Sequence, residues 1–264
     1  MSHEDYPDAG TLDERVRLHD ECSTNPYGWQ RWVMDQIAPH LRGRVLEVGT
    51  GPGYLWIENA SRLLSDFHLV LSDRSKGMLN DASTRLAGVG VTADWILCDV
   101  NHLPFQGLVF DTVIANHVLF LLEEPAKGVH QLARCLRPGG MLFATTNHRD
   151  HLQRLMDLFI ELSEDHFGHL QQREISRRRE RFNFVSGAEY LIHQFVDLKL
   201  VTYEDGLEID RAEILVPWLD YWAKPALSAQ LRSRLLVQLE EQIARKGVLR
   251  IHKNSGMFIA RKGD

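Results

Sequence analysis

Arg44-Val45-Leu46-Glu47-Val48-Gly49-Thr50-Gly51-Pro52-Gly53 decides how the rest of the chain is read. Val45, Leu46 and Val48 make a short apolar run of the kind buried in a parallel sheet. It ends in alternating glycines, where the backbone turns sharply and lets something approach it closely. A dinucleotide fingerprint, G-x-G-x-x-G, needs a small residue at position 54 so that the next helix can pack on the strand, and Tyr54 stands there. The pattern is instead an acid followed by spaced glycines: Glu47-x-Gly49-x-Gly51-x-Gly53.

Working outward, a helix is expected from about Tyr54 to Leu64, then a buried strand Phe67 to Asp73. Asp73 lies 20 residues beyond Gly53. Strand-helix-strand geometry puts an acid there that can accept two hydrogen bonds from ribose hydroxyls, whereas the competing reading makes it the N-cap of the helix carrying Met78 and Leu79. A third strand, Ala93 to Cys98, leads into Asp99-Val100-Asn101-His102-Leu103-Pro104-Phe105, and a fourth, Phe110 to Asn116, into His117-Val118. After a helix from Ala126 to Leu136, Arg137-Pro138-Gly139-Gly140 turns the chain into strand five, Met141 to Thr146. Successive strands ending in carboxylates, alternating with helices, define an open α/β sheet whose ligand belongs at the carboxyl edge.

The Glu47 glycine turn, Asp73, Asp99 before an apolar-Pro-Phe turn, and Leu136-Arg137-Pro138-Gly139-Gly140 before an apolar strand together resemble the class I, Rossmann-like S-adenosylmethionine-dependent methyltransferases of small-molecule type, over residues 44–146. The resemblance implies an α/β fold with a doubly wound, seven-stranded, mostly parallel sheet, its last strand antiparallel, plus helical cap elements. It implies S-adenosylmethionine as cofactor, with Glu47, Gly49, Thr50, Gly51 and Gly53 in the binding turn. Asp73 and Arg74 would lie at the ribose, Met78 near the adenosine, Asp99 and Val100 at the adenine, and Asn116 and Val118 beside the methionine moiety. Asn116-His117-Val118-Leu119 stands where methylases of DNA amines and protein amides carry Asn-Pro-Pro-Tyr, which argues against those acceptors. A small molecule, accepting the methyl on oxygen, nitrogen or nucleophilic carbon, is expected; the Trp- and Tyr-rich flanks favour an aromatic or indole-type one. Two other readings compete. A nicotinamide-dependent reductase is disfavoured by Tyr54 and by the lack of a Tyr followed four residues later by Lys; a non-catalytic cofactor-binding protein is disfavoured by the intact glycines and acids.

Methyl transfer needs alignment and, for a protonated nucleophile, a base. His117 after strand four and His148 after strand five are the candidates, with His19 an outsider. His148 and His151 form H-x-x-H but lack a companion acid or third histidine, so no metal is expected. Trp29, Trp32 and Val33 share a helix face suited to packing or to a lid, and Tyr27, in the preceding turn, is assigned to the cofactor pocket.

With 264 residues, 44% of them apolar, the chain suits one large domain: residues 1–40 as an N-terminal helical lid and 41–264 as the methyltransferase domain, with a helical cap insertion around 150–195. A capping box, Thr11 with Glu14, is expected to open the first helix. A net charge of −6 gives no general attraction to nucleic acid or anionic membrane. Arg177, Arg178, Arg179 and Arg181 read as a solvated helix face rather than a phosphate-binding patch. The scattered Cys22, Cys98 and Cys135 read as reduced thiols; with no secretory or spanning segment, the cytoplasm is the expected location, as monomer or homodimer. Towards the C-terminus, Val196 to Glu204 and Gly206 to Asp210 read as two short strands. Leu231, Leu235, Leu239 and Ile243 form a core stripe, and Val248 to His252 with Met257 to Arg261 form a hairpin around Asn254-Ser255-Gly256.

Overall fold

The computed structural model describes residues 9–63, 67–163, 176–222 and 227–264. Residues 1–8 of the expected lid and 164–175 of the expected cap insertion lie outside these residues. Seven strands form a single sheet: β1 (Gly43–Val48), β2 (Phe67–Asp73), β3 (Asp94–Leu97), β4 (Phe110–Asn116), β5 (Leu136–Asn147), β6 (Val196–Ile209) and β7 (Leu249–Arg261). Their order is β3-β2-β1-β4-β5-β7-β6. β1 pairs in parallel with both β2 and β4, while β7 runs antiparallel to β5 and β6. The chain therefore reverses its direction of winding between β1 and β4, and a crevice opens there at the carboxyl ends of the strands.

Helices α1 (Gly10–Cys22) and α2 (Trp29–Ile37) precede β1. α3 (Tyr54–Asn59), α4 (Lys76–Gly88) and α5 (Pro125–Cys135) are the crossovers of the nucleotide half. α6 (Gln153–Ser163), a helical turn at 176–181, and α7 (Ser186–Ile192) separate β5 from β6; α8 (Val216–Trp222) and α9 (Ala229–Lys246) separate β6 from β7. α2 and α3 close one face of the sheet around Val45, Leu71, Ile114 and Phe143, and α5 and α7 close the other around Val48, Val113 and Leu142. A third apolar cluster joins α1, α6, α8 and α9 to the ends of β6 and β7; in it Leu235, Leu239 and Ile243 are buried, as their spacing predicts. Burying such stripes is what makes these helices stable in place.

Several local expectations are corrected. The first helix begins at Gly10 with Ala9 as its cap residue, so Thr11 lies inside the helix and not at its N-cap. The helix after the glycine turn stops at Asn59, whose amide donates to the Leu55 and Gln30 carbonyls, and a 3-10 turn follows. The two short strands are one continuous β6, and the terminal hairpin is one continuous β7. At Gly256 the reason is visible: a Cβ there would lie 2.7 Å from the Val201 carbonyl oxygen and 2.9 Å from the Phe184 ring, so the glycine serves close packing and not a turn.

Candidate active site

The β1 turn is built by its own constraints. Gly49 and Gly51 adopt φ of +64° and +55°, left-handed values that L side chains avoid. At Gly49 a Cβ would meet Val118 Cγ2 at 2.5 Å; at Gly51 it would meet only Leu12 Cδ2, at 3.9 Å. Gly51 thus presents bare backbone to an open cavity. Its N–H donates to Asp73 Oδ2 at 3.0 Å, and the Ser75 N–H donates to Asp73 Oδ1 at 2.8 Å. Asp73 is not the helix cap: Ser75 Oγ accepts from Met78 N and caps α4. Burial raises the Asp73 pKa, against the lowering effect of those backbone N–H bonds.

Glu47 is 2% exposed beneath the turn. Its Oε2 accepts from Trp56 Nε1 at 2.6 Å and from the Thr50 hydroxyl at 2.9 Å. Burial pushes its pKa up to about 7, with Asp73 adding to the rise and the two hydrogen bonds opposing it. Asp99, exposed at the end of β3, caps a 3-10 turn by accepting from the Asn101 N–H at 2.8 Å.

These groups line one end of a cavity of about 730 Å³. Glu47, Gly49, Thr50, Gly51, Asp73, Arg74, Met78, Asp99, Val100, Asn116, His117, Val118 and His148 all line it. Two residues assigned to the cofactor do not. Tyr27 is 46% exposed, and its hydroxyl is bonded to Asp35, which turns the ring away from the cavity. Gly53 faces α4, where a Cβ would lie 2.5 Å from Leu86 Cδ1, so it sets helix packing.

His117 stands where the two ends of the cavity meet. It is a non-glycine residue at φ +53°, held in that strained backbone by its N–H donating to Thr145 Oγ1 at 2.8 Å. The Thr145 hydroxyl in turn donates to Asn116 Oδ1 at 2.6 Å. The His117 ring packs 5.0 Å from the Trp29 ring, and among the described residues its nitrogens have no hydrogen-bond partner. Burial, helped by the nearby Lys253 charge, lowers its pKa to about 4, so the ring is neutral at pH 7 and has a lone pair to offer. His148 is bonded through Nδ1 to the Asp150 N–H at 3.3 Å.

The far end of the cavity comes from the N-terminal helix, the cap region and the Trp- and Tyr-rich helix near the C-terminus. α1 supplies Arg15 and His19, the segment after β5 supplies His151, 176–182 supplies Arg178, Arg179 and Phe182, and α8 supplies Trp218, Tyr221 and Trp222. Arg178 and Arg179 therefore point inward, which corrects the expectation of a solvated face for them; Arg177 is exposed as expected. A buried ion pair between Lys253 of β7 and Asp205 of β6 lies at the cavity wall. Asp205 also accepts from Ser23 Oγ at 2.6 Å and Asn25 N at 3.1 Å, which ties the α1–α2 connection to the sheet. Burial raises the Asp205 pKa, but Lys253 and Ser23 outweigh it and hold the group below the usual carboxylate range. Reading Asp205-Gly206 as a turn hid this pair; its one sequence signal is an acid and a lysine in neighbouring antiparallel strands.

Among the described residues no group of histidines, cysteines and acids is arranged to hold a metal ion, and no helix is long and apolar enough to cross a membrane.

Residues 46–144 match the family described as "Methyltransferase domain". Over that segment the chain is similar to methyltransferase domains, and its sheet has the Rossmann-like, mostly parallel strand order. Over 139 residues it is 32% identical to a demethylmenaquinone methyltransferase of Clavibacter sepedonicus, a match covering 51% of this chain and 55% of that protein. Over 112 residues it is 31% identical to a ubiquinone/menaquinone biosynthesis C-methyltransferase of Desulfotalea psychrophila, covering 42% of this chain and 44% of that one. The chain thus spans about half the length of the curated relatives it matches. Its fold is similar to that of Haemonchus contortus phosphoethanolamine N-methyltransferase 2 in complex with S-adenosyl-L-methionine, with a TM-score of 0.61 at 17% identity, over 99% of this chain and 59% of that one.

The residues present fit the cofactor. The turn at Gly51 is a backbone cradle that a side chain would fill, and Asp73 and Asp99 stand beyond it at successive strand ends. Acids here suit a ligand with ribose hydroxyls and a cationic sulfonium.

Proposed function

We propose that the protein transfers a methyl group from S-adenosylmethionine to a small aromatic acceptor, at oxygen, nitrogen or a nucleophilic carbon. One observation carries the reading: the glycine turn and acids occupy one end of the cavity, aromatic rings wall the other, and a neutral histidine stands at the junction. Bound there, S-adenosylmethionine supplies a methyl group on a sulfonium; the acceptor's nucleophile forms the new bond to carbon as the carbon–sulfur bond breaks, and its electron pair stays on sulfur. Asp73 and Asp99 hold the nucleoside, and the Gly49–Gly53 turn fixes where the methyl points. His117 takes the proton that the acceptor sheds; a pKa near 4 makes it a weak base, sufficient because the acceptor's proton becomes acidic only as the new bond forms.

The segment 1–40 acts as the lid. Within its described part, Tyr54 and Arg85 both bond Asp13, the Trp218 indole N–H donates to the Arg15 carbonyl at 3.2 Å, and Ser23 bonds Asp205. α1 therefore bridges the cofactor end and the acceptor end of the cavity. The curated relatives named for quinone C-methylation support carbon as one acceptor atom.

Calorimetric titration with S-adenosylhomocysteine and with NADPH tests the cofactor, and a screen with methyl-labelled S-adenosylmethionine tests turnover. Binding of the former and labelled product are expected; binding of NADPH alone refutes the reading in favour of a reductase.

A further inference from the structure

The two ends of the cavity carry opposite charge. At the β1–β4 end the lining carboxylates are Glu47, Glu58, Asp73 and Asp99, with Arg74 as the cation among the described residues. At the other end Arg15, Arg178, Arg179 and Lys253 face Asp20 and Asp205. Lys253 and Asp205 neutralise each other, and Asp20 lies between the two ends: it adds to the rise that burial gives the Glu58 pKa, and it also feels the Lys253 charge. The guanidinium groups set this end apart from the acidic one in a chain of net charge −6.

Their surroundings are aromatic and partly buried. The Arg15 guanidinium lies 3.7 Å from the centroid of the Tyr221 ring and 4.5 Å from that of Trp218, and Arg178 Nη1 donates to the Tyr221 hydroxyl at 3.1 Å. The two arginines thus converge on one side chain. Arg179 donates to the His151 carbonyl at 3.0 Å and to the Gln153 side chain, both neutral acceptors. Among the described residues no carboxylate lies within ion-pair distance of it. Burial accordingly lowers its pKa, against the more distant pull of Asp157 and Asp150. A desolvated cation paired only with neutral groups is unfavourable unless something else supplies the anion.

Two neutral histidines add polar groups at this end. His151 Nδ1 accepts the Asn254 N–H at 3.2 Å, so the neutral ring carries its proton on Nε2, as a donor. His19 Nδ1 is buried without a hydrogen-bond partner.

Resting on the methyl-transfer reading, we propose that this end of the cavity is an anion subsite: Arg179, with Arg15 and Arg178, receives a carboxylate or phosphate group of the acceptor, whose ring lies against Trp218 and Phe182. A guanidinium matches either oxyanion with paired N–H donors, and exclusion of water strengthens the pairing. A neutral acceptor leaves the Arg179 charge unmatched.

The test is calorimetry on the full chain saturated with S-adenosylhomocysteine, using 1-naphthoate, 1-naphthyl phosphate and the neutral 1-naphthamide. At least one of the two anions is expected to bind about tenfold more tightly than the amide, and the better one identifies the oxyanion. In Arg179→Gln the preference is expected to collapse to about twofold, while Arg179→Lys keeps most of it. An unchanged affinity for S-adenosylhomocysteine reports that each variant is folded, and Arg15→Gln replaces any that is not. The amide binding as tightly as both anions, or a preference that survives in Arg179→Gln and Arg15→Gln, overturns the subsite. Failure of the two readings is distinguishable. A protein that binds S-adenosylhomocysteine without preferring anions loses only the subsite; one that prefers anions but ignores S-adenosylhomocysteine loses methyl transfer and keeps an anion site.

Discussion

Replacing Glu47 by Gln should make the protein more stable and a poorer binder at once. The carboxylate is 2% exposed, and burial raises its pKa from 4.5 to about 7. The native state thus holds this proton more tightly than the unfolded chain does. The stability that protonated Glu47 contributes is complete below about pH 4.5, declines as pH rises, and is lost above about pH 7. At about 1.4 kcal/mol per pKa unit the full cost of ionisation is about 3 kcal/mol at pH 8, and only about 1 kcal/mol at pH 5, where little of the titration has occurred. Glutamine mimics the protonated acid and keeps an oxygen for the Trp56 and Thr50 donors. Urea denaturation followed by tryptophan fluorescence should therefore find Glu47→Gln more stable than the parent by about 3 kcal/mol at pH 8 and about 1 kcal/mol at pH 5. Comparing the two proteins cancels His117, which titrates with the opposite sign. Its folded pKa lies below the unfolded one, so stability increases with pH through about 4 to 6.5. Glu47 Oε1 has no hydrogen bond from the described residues, and Glu47 lines the cavity. If it serves the cofactor's ammonium, affinity for S-adenosylhomocysteine drops about tenfold in the same variant. A stability gap that does not change with pH, or a variant less stable at pH 8, refutes the account of a carboxyl kept protonated by burial.

The glycines should separate fold from binding. Gly49→Ala forces a Cβ into Val118 and should lower the melting temperature markedly, whereas Gly51→Ala should cost only about 1 kcal/mol of stability yet abolish detectable S-adenosylhomocysteine binding by calorimetry. Asp73→Ala should weaken that binding by about 1.5 to 3 kcal/mol through lost charge-assisted hydrogen bonds, and an unchanged dissociation constant would show the ribose to lie elsewhere. His117→Ala should lower turnover far more than cofactor affinity. The parent's rate should rise with pH through about 4 and be level from pH 5 upward, so a limb well above pH 5 in a stopped assay would remove His117 as the base.

The nucleotide half was legible because its signals are local. A glycine turn, an acid at a strand end and a Pro-Gly-Gly bend each depend on a few neighbouring residues. The substrate half was misread where side chains answer to distant partners. Asp205-Gly206 and Asn254-Ser255-Gly256 have the composition of turns, yet they lie inside strands. Asp205 meets Lys253 across the β6–β7 ladder, Ser255 donates to Asn147, and Gly256 makes room for Phe184. The arginine run looked solvated for the same reason. That Arg178 and Arg179 face inward depends on α6 and α8 folding over them, and no spacing within the run encodes it. Tyr27 failed in the opposite direction: its place beside an aromatic-rich turn suggested the pocket, but Asp35, one helical stretch later, captures its hydroxyl.

The boundary of the family match has a chemical consequence. It ends at residue 144, inside β5, and takes in Glu47, Asp73, Asp99 and His117. Arg15 precedes it, and Arg178, Arg179, Trp218 and Lys253 all follow it. On the proposed reading, the segment this chain shares with its methyltransferase relatives is the one that holds the methyl donor and takes the proton. The proposed acceptor end is supplied by elements outside the shared segment, and their charge is specific enough to be informative. A quinone ring offers carbonyl or hydroxyl oxygens and no fixed negative charge, so it would leave the Arg179 guanidinium unmatched. The relatives' acceptor class therefore transfers to this chain only if an anionic substituent accompanies the ring, and the naphthyl probes read out that condition directly.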